Sequence, residues 1–284
     1  MYSVRMMLMG GLVFVSAASI LIRLSSADPL VIAAYRMGIA SAIMVTATTL
    51  RNEWRPLRSL ARRDAALMII AGIALGIHFA TWISSLFYTS VAVSVIVVNS
   101  SPLIVLVLSM VLLKEGISRK GSVGLMCALL GGAVIVLNEA IVRLSLQGVT
   151  LAFCGALGVA LYLVIGRHVR KSVGTLPYVS IVYLISFLFI VALPLALGYP
   201  MTGYPLADYV IFFLLAAGPS CLGHTAYNYA LKYLPAPTVS ATIVAEPIGA
   251  SFLAWIVLGE VPTMLVIGGG ALVLIGIGLV LDVL

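Results

Sequence analysis

The stretch PLIVLVLSMVLLKE at residues 102–115 is answered by PIGASFLAWIVLGE at residues 247–260. One shift of 145 residues lays Pro102 on Pro247, Leu108 on Leu253, Leu113 on Leu258 and Glu115 on Glu260. Working outward at the same offset, Leu86 falls on Leu231, Tyr88 on Tyr233, Gly124 on Gly269 and Gly131 on Gly276. Leucine matches carry little weight in an apolar chain, whereas shared Pro, Glu, Tyr and Gly positions at one offset mark a duplication. Upstream the fit loosens, with Pro29 over Pro177 and Tyr35 over Tyr183 after a small insertion.

Both copies are built for lipid. Hydrophobic residues make up 63% of the 284-residue chain and charged residues only 9%, with a mean hydropathy of +1.22. Soluble domains carry about 25% charged residues, so the composition places this chain in a bilayer. Runs of about 17 to 25 apolar residues predict spans at 6–24, 30–50, 65–87, 91–113 and 121–137, then 149–165, 176–197, 209–231, 238–258 and 263–281. The gaps are short and leave no room for a soluble domain. The first span, with Arg5 before it and Ser25, Ser26 and Ala27 after it, has the outline of a signal peptide. It is long for one, and its loss would leave an unpaired half.

Cytoplasmic loops hold an excess of Lys and Arg. With the N-terminus inside, Arg5, Arg51, Arg55, Arg58, Arg62, Arg63, Lys114, Arg119, Lys120, Arg167, Arg170, Lys171 and Lys232 all fall on the cytoplasmic side. Only Arg23 and Arg143 fall outside, and Arg36 lies within a span. Both termini are then cytoplasmic, in agreement with ten crossings. The net charge of +7 is accounted for by topology and anionic lipid, with no need for a nucleic-acid partner.

The expected fold is all-α and integral to the membrane, with ten transmembrane helices in two five-helix repeats at residues 1–140 and 141–284. Five crossings is an odd number, so the second copy enters the bilayer inverted. Inverted halves are common in secondary transporters, which place their site near the midplane between the repeats.

The paired signature, Ser101-Pro102 to Leu113-Lys114-Glu115 and Ala230-Leu-Lys-Tyr-Leu-Pro-Ala-Pro through Ala245-Glu246-Pro247-Ile248 to Leu258-Gly259-Glu260, resembles that of EamA-type members of the drug/metabolite transporter superfamily. The likeness extends over the whole chain in span count, duplication and motif placement. It implies a ten-helix exporter of amino acids or related metabolites in the plasma (inner) membrane. Within that family the nearest resemblance is to bacterial aromatic amino acid exporters.

Ionisable groups at the bilayer centre cost at least about 2.5 to 3.5 kcal/mol and so face a cavity or a partner. Glu246 is the one acidic residue near the middle of a span, and it directly precedes Pro247, whose ring removes a helix hydrogen bond and crowds the Ile243 carbonyl. It is a candidate for binding an ammonium group or a proton. Interhelical hydrogen bonding is the competing role. His78 and His224 occupy near-equivalent places in the third and eighth spans, at different depths that rule out one simple metal site; each is a candidate for a substrate or gating role, with a helix-to-helix hydrogen bond as the competing role. Arg36, up to two turns into the second span, either snorkels to the headgroups or attracts a carboxylate at the outer entrance. The Asn99-Ser100-Ser101 tripeptide matches a glycosylation sequon but lies inside a span, and it reads as polar cavity lining or a helix contact.

Trp82 shares a helix face with His78, and Tyr227 and Asn228 follow His224 by three and four residues, so each half offers a polar and aromatic stripe. Tyr162 and Tyr183 join from neighbouring helices. Such a lining suits a flat, partly apolar solute, with packing and interfacial anchoring as the alternative. Pro102 and Pro247 are expected to kink the fourth and ninth helices. Glu115 and Glu260 are expected to cap helix ends or pair with nearby basic groups, Lys114, Arg119 and Lys120 in the first case. The glycines, including Gly72, Gly76 and the Gly268–Gly270 run, are expected to allow close helix packing. Cys127, Cys154 and Cys221 are isolated, without metal spacing.

No nucleotide-binding fingerprint, metalloprotease motif or nucleophile elbow is present. The sequence therefore favours a secondary carrier of a small organic solute, with the lipid bilayer as its surroundings and no cofactor, metal or nucleotide. An intramembrane enzyme would need a histidine to meet Glu246 and a nucleophile. A passive channel or assembly subunit has no evident use for inverted halves.

Overall fold

The computed structural model describes residues 2–55, 57, 60–89, 91–137, 145–258 and 263–281. Glu260, Arg58, Arg143 and the expected boundary between the repeats lie outside them. The described residues form helices and turns, with no strand among them. The first repeat comprises α1 (Tyr2–Ser16), α2 (Ala18–Leu24), α3 (Pro29–Leu50), α4 (Arg62–Tyr88), α5 (Val91–Val98), α6 (Ser101–Leu108) and α7 (Arg119–Leu137). The second comprises α8 (Leu146–Val169), α9 (Thr175–Ala196), α10 (Leu206–Leu215), α11 (Thr225–Ala230), α12 (Ala236–Ile243), α13 (Glu246–Leu258) and α14 (Met264–Val280). Among the described residues, six continuous stretches are long and apolar enough to cross a membrane, at Ser3–Leu24, Pro29–Leu50, Arg62–Tyr88, Leu146–Val169, Thr175–Ala196 and Leu206–Ala230.

Several expected continuous spans are interrupted. The fourth breaks at Asn99 and Ser100, between α5 and α6, and the ninth at Val244 and Ala245, between α12 and α13. These two breaks coincide under the 145-residue shift. In each, a proline stands second in the new half-helix, where its missing N–H would have had no partner anyway. The first span carries a lesser interruption at Ala17. The eighth opens into a π-helical segment, Ala216–His224, between α10 and α11. Pro219 lies within it and cannot donate to the preceding turn. A second π segment, Ser109–Leu113, follows α6 and ends at Lys114, whose φ of 54° is left-handed.

The helices are apolar outside and small inside, as lipid-facing helices require. On α4, Ile69, Ile70, Ile73 and Ile77 point outward while Ala71, Ala74, Leu75 and His78 are buried. α7 and α14 cross closely and reciprocally. A Cβ at Gly131 would meet the Gly269 carbonyl at 2.5 Å, and one at Gly124 would meet the Gly276 carbonyl at 2.5 Å. Because Gly124 corresponds to Gly269 and Gly131 to Gly276, the repeats meet here across an approximate two-fold axis, with the helices antiparallel. α4 and α8 also touch through backbone at Gly158, where a Cβ would strike the Ala74 carbonyl at 2.7 Å and the His78 backbone nitrogen at 2.9 Å. That contact fixes the height of His78 in the bundle. Gly72 and Gly76 receive Ile185 and Phe189 of α9.

Candidate functional site

A small internal cavity of about 20 Å³ lies where the broken helices face α1, α3, α4 and the π segment. Its polar wall consists of Arg36, His78, Trp82, Ser101, His224, Tyr227 and Glu246. About one water molecule fits in such a volume, far less than the several hundred Å³ of a typical ligand pocket. Admission of a metabolite therefore requires the surrounding helices to move apart.

The two half-helix N-termini supply corresponding residues. Ser101 begins α6 and Glu246 begins α13, and the 145-residue shift lays one on the other. Both side chains are buried, and neither Ser101 Oγ nor Glu246 Oε1 has a hydrogen-bond partner. The dipole at the start of each half-helix adds partial positive charge to the same region.

Arg36 has 0% exposure. Snorkelling to headgroups does not describe it, because the side chain turns inward from α3 to the cavity wall. Its Nε donates to Ser220 Oγ at 2.9 Å, and its guanidinium carbon lies 4.2 Å from the centre of the Phe79 ring. Nη1 and Nη2 have no partner. The Ser220 carbonyl accepts from the Tyr183 hydroxyl at 3.1 Å, so α9 helps hold the π segment that presents Ser220.

The histidines are closer than separate depths would imply, with ring centres 6.2 Å apart. His78 Nδ1 lies 2.9 Å from the Gly155 carbonyl. A carbonyl only accepts, so Nδ1 carries the proton and Nε2 is left as an acceptor in the neutral ring. Trp82 stacks on His78 at 5.7 Å with planes 5° apart, and its Nε1 is buried without a partner. His224 packs edge-on to Phe79 at 5.2 Å, and its Nδ1 likewise lacks a partner. Tyr227 stands 6.0 Å from His224 with an unpartnered hydroxyl. Among the described residues no group of three or more His, Cys, Asp or Glu is arranged to hold a metal.

The remaining candidates surround this wall. Asn228 Nδ2 donates to the His224 carbonyl at 2.7 Å and to the Tyr162 hydroxyl, tying α11 to α8. Arg170, just beyond α8, donates through Nε to the Asn228 carbonyl at 2.9 Å. Burial pushes its guanidinium down to about 10, which leaves it charged at neutral pH. Asn99 sits buried at the helix break with both amide atoms unpartnered. Tyr162, Tyr183 and Asn228 thus act on the cavity through its neighbours. Sequence reasoning placed Ser101 in a polar tripeptide without singling it out, and missed Ser220 and Phe79. Ser101 carried a signal as the repeat counterpart of Glu246, and Pro219 marked the irregular turn that holds Ser220.

Glu115 pairs with basic groups that are distant in sequence. It accepts from Arg167 Nε at 2.9 Å and from Lys171 Nζ at 3.0 Å, both in the second repeat. Arg167 also reaches the Leu231 carbonyl at 2.8 Å. At the opposite end of the bundle, Asp208 accepts from Ser25 Oγ at 2.6 Å, Ser26 N at 2.9 Å and Ser26 Oγ at 2.6 Å.

A solved crystal structure superimposes with a TM-score of 0.83 over 99% of this chain and 98% of its own, at 17% identity, which shows the shared fold. The uncharacterized transporter YyaM of Bacillus subtilis is 26% identical over 253 residues, covering 86% of this chain and 82% of that protein. An uncharacterized transporter of Archaeoglobus fulgidus is 25% identical over 262 residues, covering 89% of this chain and 88% of its own length. The profile of the EamA-like transporter family matches residues 3–137 and matches again at 146–282. Both repeats are matched, and this multi-pass membrane protein belongs to the EamA-like transporter family.

Proposed function

We propose that the protein is a secondary carrier that exports small metabolites by alternating access, with amino acids, aromatic ones foremost, as its cargo. The observation that carries this reading is the cavity between the repeats, walled by two half-helices broken at equivalent positions. Discontinuous helices at a repeat interface let the backbone leave helical geometry where it faces a cavity instead of lipid. A closed site of about 20 Å³ suits an occluded step in a cycle and is unsuited to a continuously open channel. The parallel His78 and Trp82 rings offer a stacking face for a flat side chain.

The same reading takes the chain to have ten crossings in two inverted halves. Both termini are cytoplasmic by the bias of basic residues, and the plasma membrane is the location. Pro102 and Pro247 then lie at the joints on which the half-helices tilt.

Counterflow into proteoliposomes tests the proposal. Vesicles preloaded with one unlabelled amino acid are expected to accumulate labelled Trp, Phe or Tyr transiently, with Thr and Lys less favoured. Accumulation that does not saturate and ignores the preloaded solute would identify a channel. No counterflow from folded protein with any amino acid would reject the cargo assignment.

A further inference from the structure

Every polar group on the cavity wall can be asked what completes it, and two opposite charges stand out. Arg36 is fixed on one edge by Ser220 and on one face by Phe79, which leaves its Nη1 and Nη2 edge free. That edge is a planar fork matched to the two oxygens of a carboxylate. Glu246 presents a buried carboxylate oxygen with no partner to the same cavity. The two do not satisfy each other, for Arg36 Nη1, Arg36 Nη2 and Glu246 Oε1 are all unpartnered. Leaving a buried charge unpaired is expensive, so such a pair persists where an incoming group completes it.

We infer that Arg36 and Glu246 form a zwitterion clamp: the Arg36 fork takes the α-carboxylate of the cargo and the Glu246 carboxylate takes its α-ammonium. This rests on the carrier reading above and narrows its substrate class to molecules bearing both charges. One positive and one negative side chain leave the clamp neutral, and so is the cargo, so binding places no net charge in the membrane interior. A simple amine would leave the Arg36 fork desolvated and unpaired, and a simple carboxylic acid would do the same to Glu246. Sites built to bond a polar group reject analogues that lack it far more strongly than sites that only exclude by size. The aromatic face of His78 and Trp82 stands beside the clamp for the side chain.

Isothermal titration of the purified protein with phenylalanine, phenethylamine and hydrocinnamate tests the clamp directly. The two one-charge analogues are expected to bind on the order of 100-fold more weakly than phenylalanine. Arg36→Gln is expected to weaken phenylalanine at least to the level of phenethylamine while phenethylamine, which no longer leaves a guanidinium unpaired, binds at least as tightly as before, which a misfolded variant would not do. Phenethylamine binding as tightly as phenylalanine would overturn the Arg36 arm, and equally tight hydrocinnamate would overturn the Glu246 arm. Either result alongside amino acid counterflow removes the clamp and leaves the carrier standing. Absence of both phenylalanine binding and counterflow by any amino acid removes the amino acid reading and the clamp with it.

Discussion

Ser220 shows how one hydroxyl can set the geometry of a buried charge. It accepts from Arg36 Nε, while its own carbonyl takes the Tyr183 hydroxyl. Ser220→Ala would leave the guanidinium buried with one more unpaired donor, and hydrogen bonds to charged groups contribute about 1.5 to 3 kcal/mol. The expected result is a half-saturation concentration for phenylalanine raised about tenfold, with Ser220→Thr close to the parent. The concentration dependence of counterflow measures it, and an unchanged half-saturation value for Ser220→Ala would rule out positioning by Ser220. Sequence singled out Glu246, His78, His224, Trp82 and Tyr227, which share the cavity wall, because charge and aromatic polarity are conspicuous in an apolar run. It gave Arg36 a depth but no direction, since whether a side chain turns inward depends on a neighbour such as Phe79 offering a surface. Serines are common in membrane helices, so Ser101 and Ser220 gain their meaning from the break and the π segment on which they stand.

At the scale of helices, one backbone-to-backbone contact makes a sharp demand. α7 and α14 touch through backbone at Gly131, where an added Cβ would meet the Gly269 carbonyl at 2.5 Å and the Val273 nitrogen at 2.8 Å. Backbone cannot rotate away as a side chain can. Gly131→Val should therefore separate the helices at a cost of about 1–3 kcal/mol, the usual range for overpacking. Gly10→Val, where nothing lies within 4 Å, is the control. Thermal unfolding in detergent is expected to show a lowered midpoint for the first and little change for the second, and equal midpoints would refute the contact. The Gly124 and Gly131 matches across the repeat were legible because glycine spacing survives in sequence. The broken fourth and ninth helices were foreshadowed by Pro102 and Pro247. The π segments were not, because turn width depends on which carbonyls neighbouring helices leave free, and Pro219 in the eighth span indicates a disturbance without its form.

Taken whole, the bundle is fastened at both ends by contacts that join the first repeat to the second. One end has Ser25 and Ser26 on Asp208, and the other has Glu115 on Arg167 and Lys171. With both fastenings closed the cavity holds about 20 Å³, and in the proposed alternating-access cycle one end would be released at a time. Burial raises the Glu115 carboxyl, but hydrogen bonds and charge from Arg167 and Lys171 outweigh it and hold the group below the ordinary carboxylate range. A lowered folded-state value means that the fastening is intact at neutral pH and is lost only as pH falls through that lowered value. Glu115→Gln removes the charge at all pH values and should favour opening at its end. In a background free of the three native cysteines, Ser101→Cys reports cavity access from each side of the membrane. The variant is expected to label several-fold faster from the Glu115 side, as loss of a partly buried ion pair of about 1 kcal/mol would allow, and no faster from the Asp208 side. Equal labelling from the Glu115 side with and without the substitution would mean that this ion pair does not hold the cavity shut, and that the seal rests on helix packing alone.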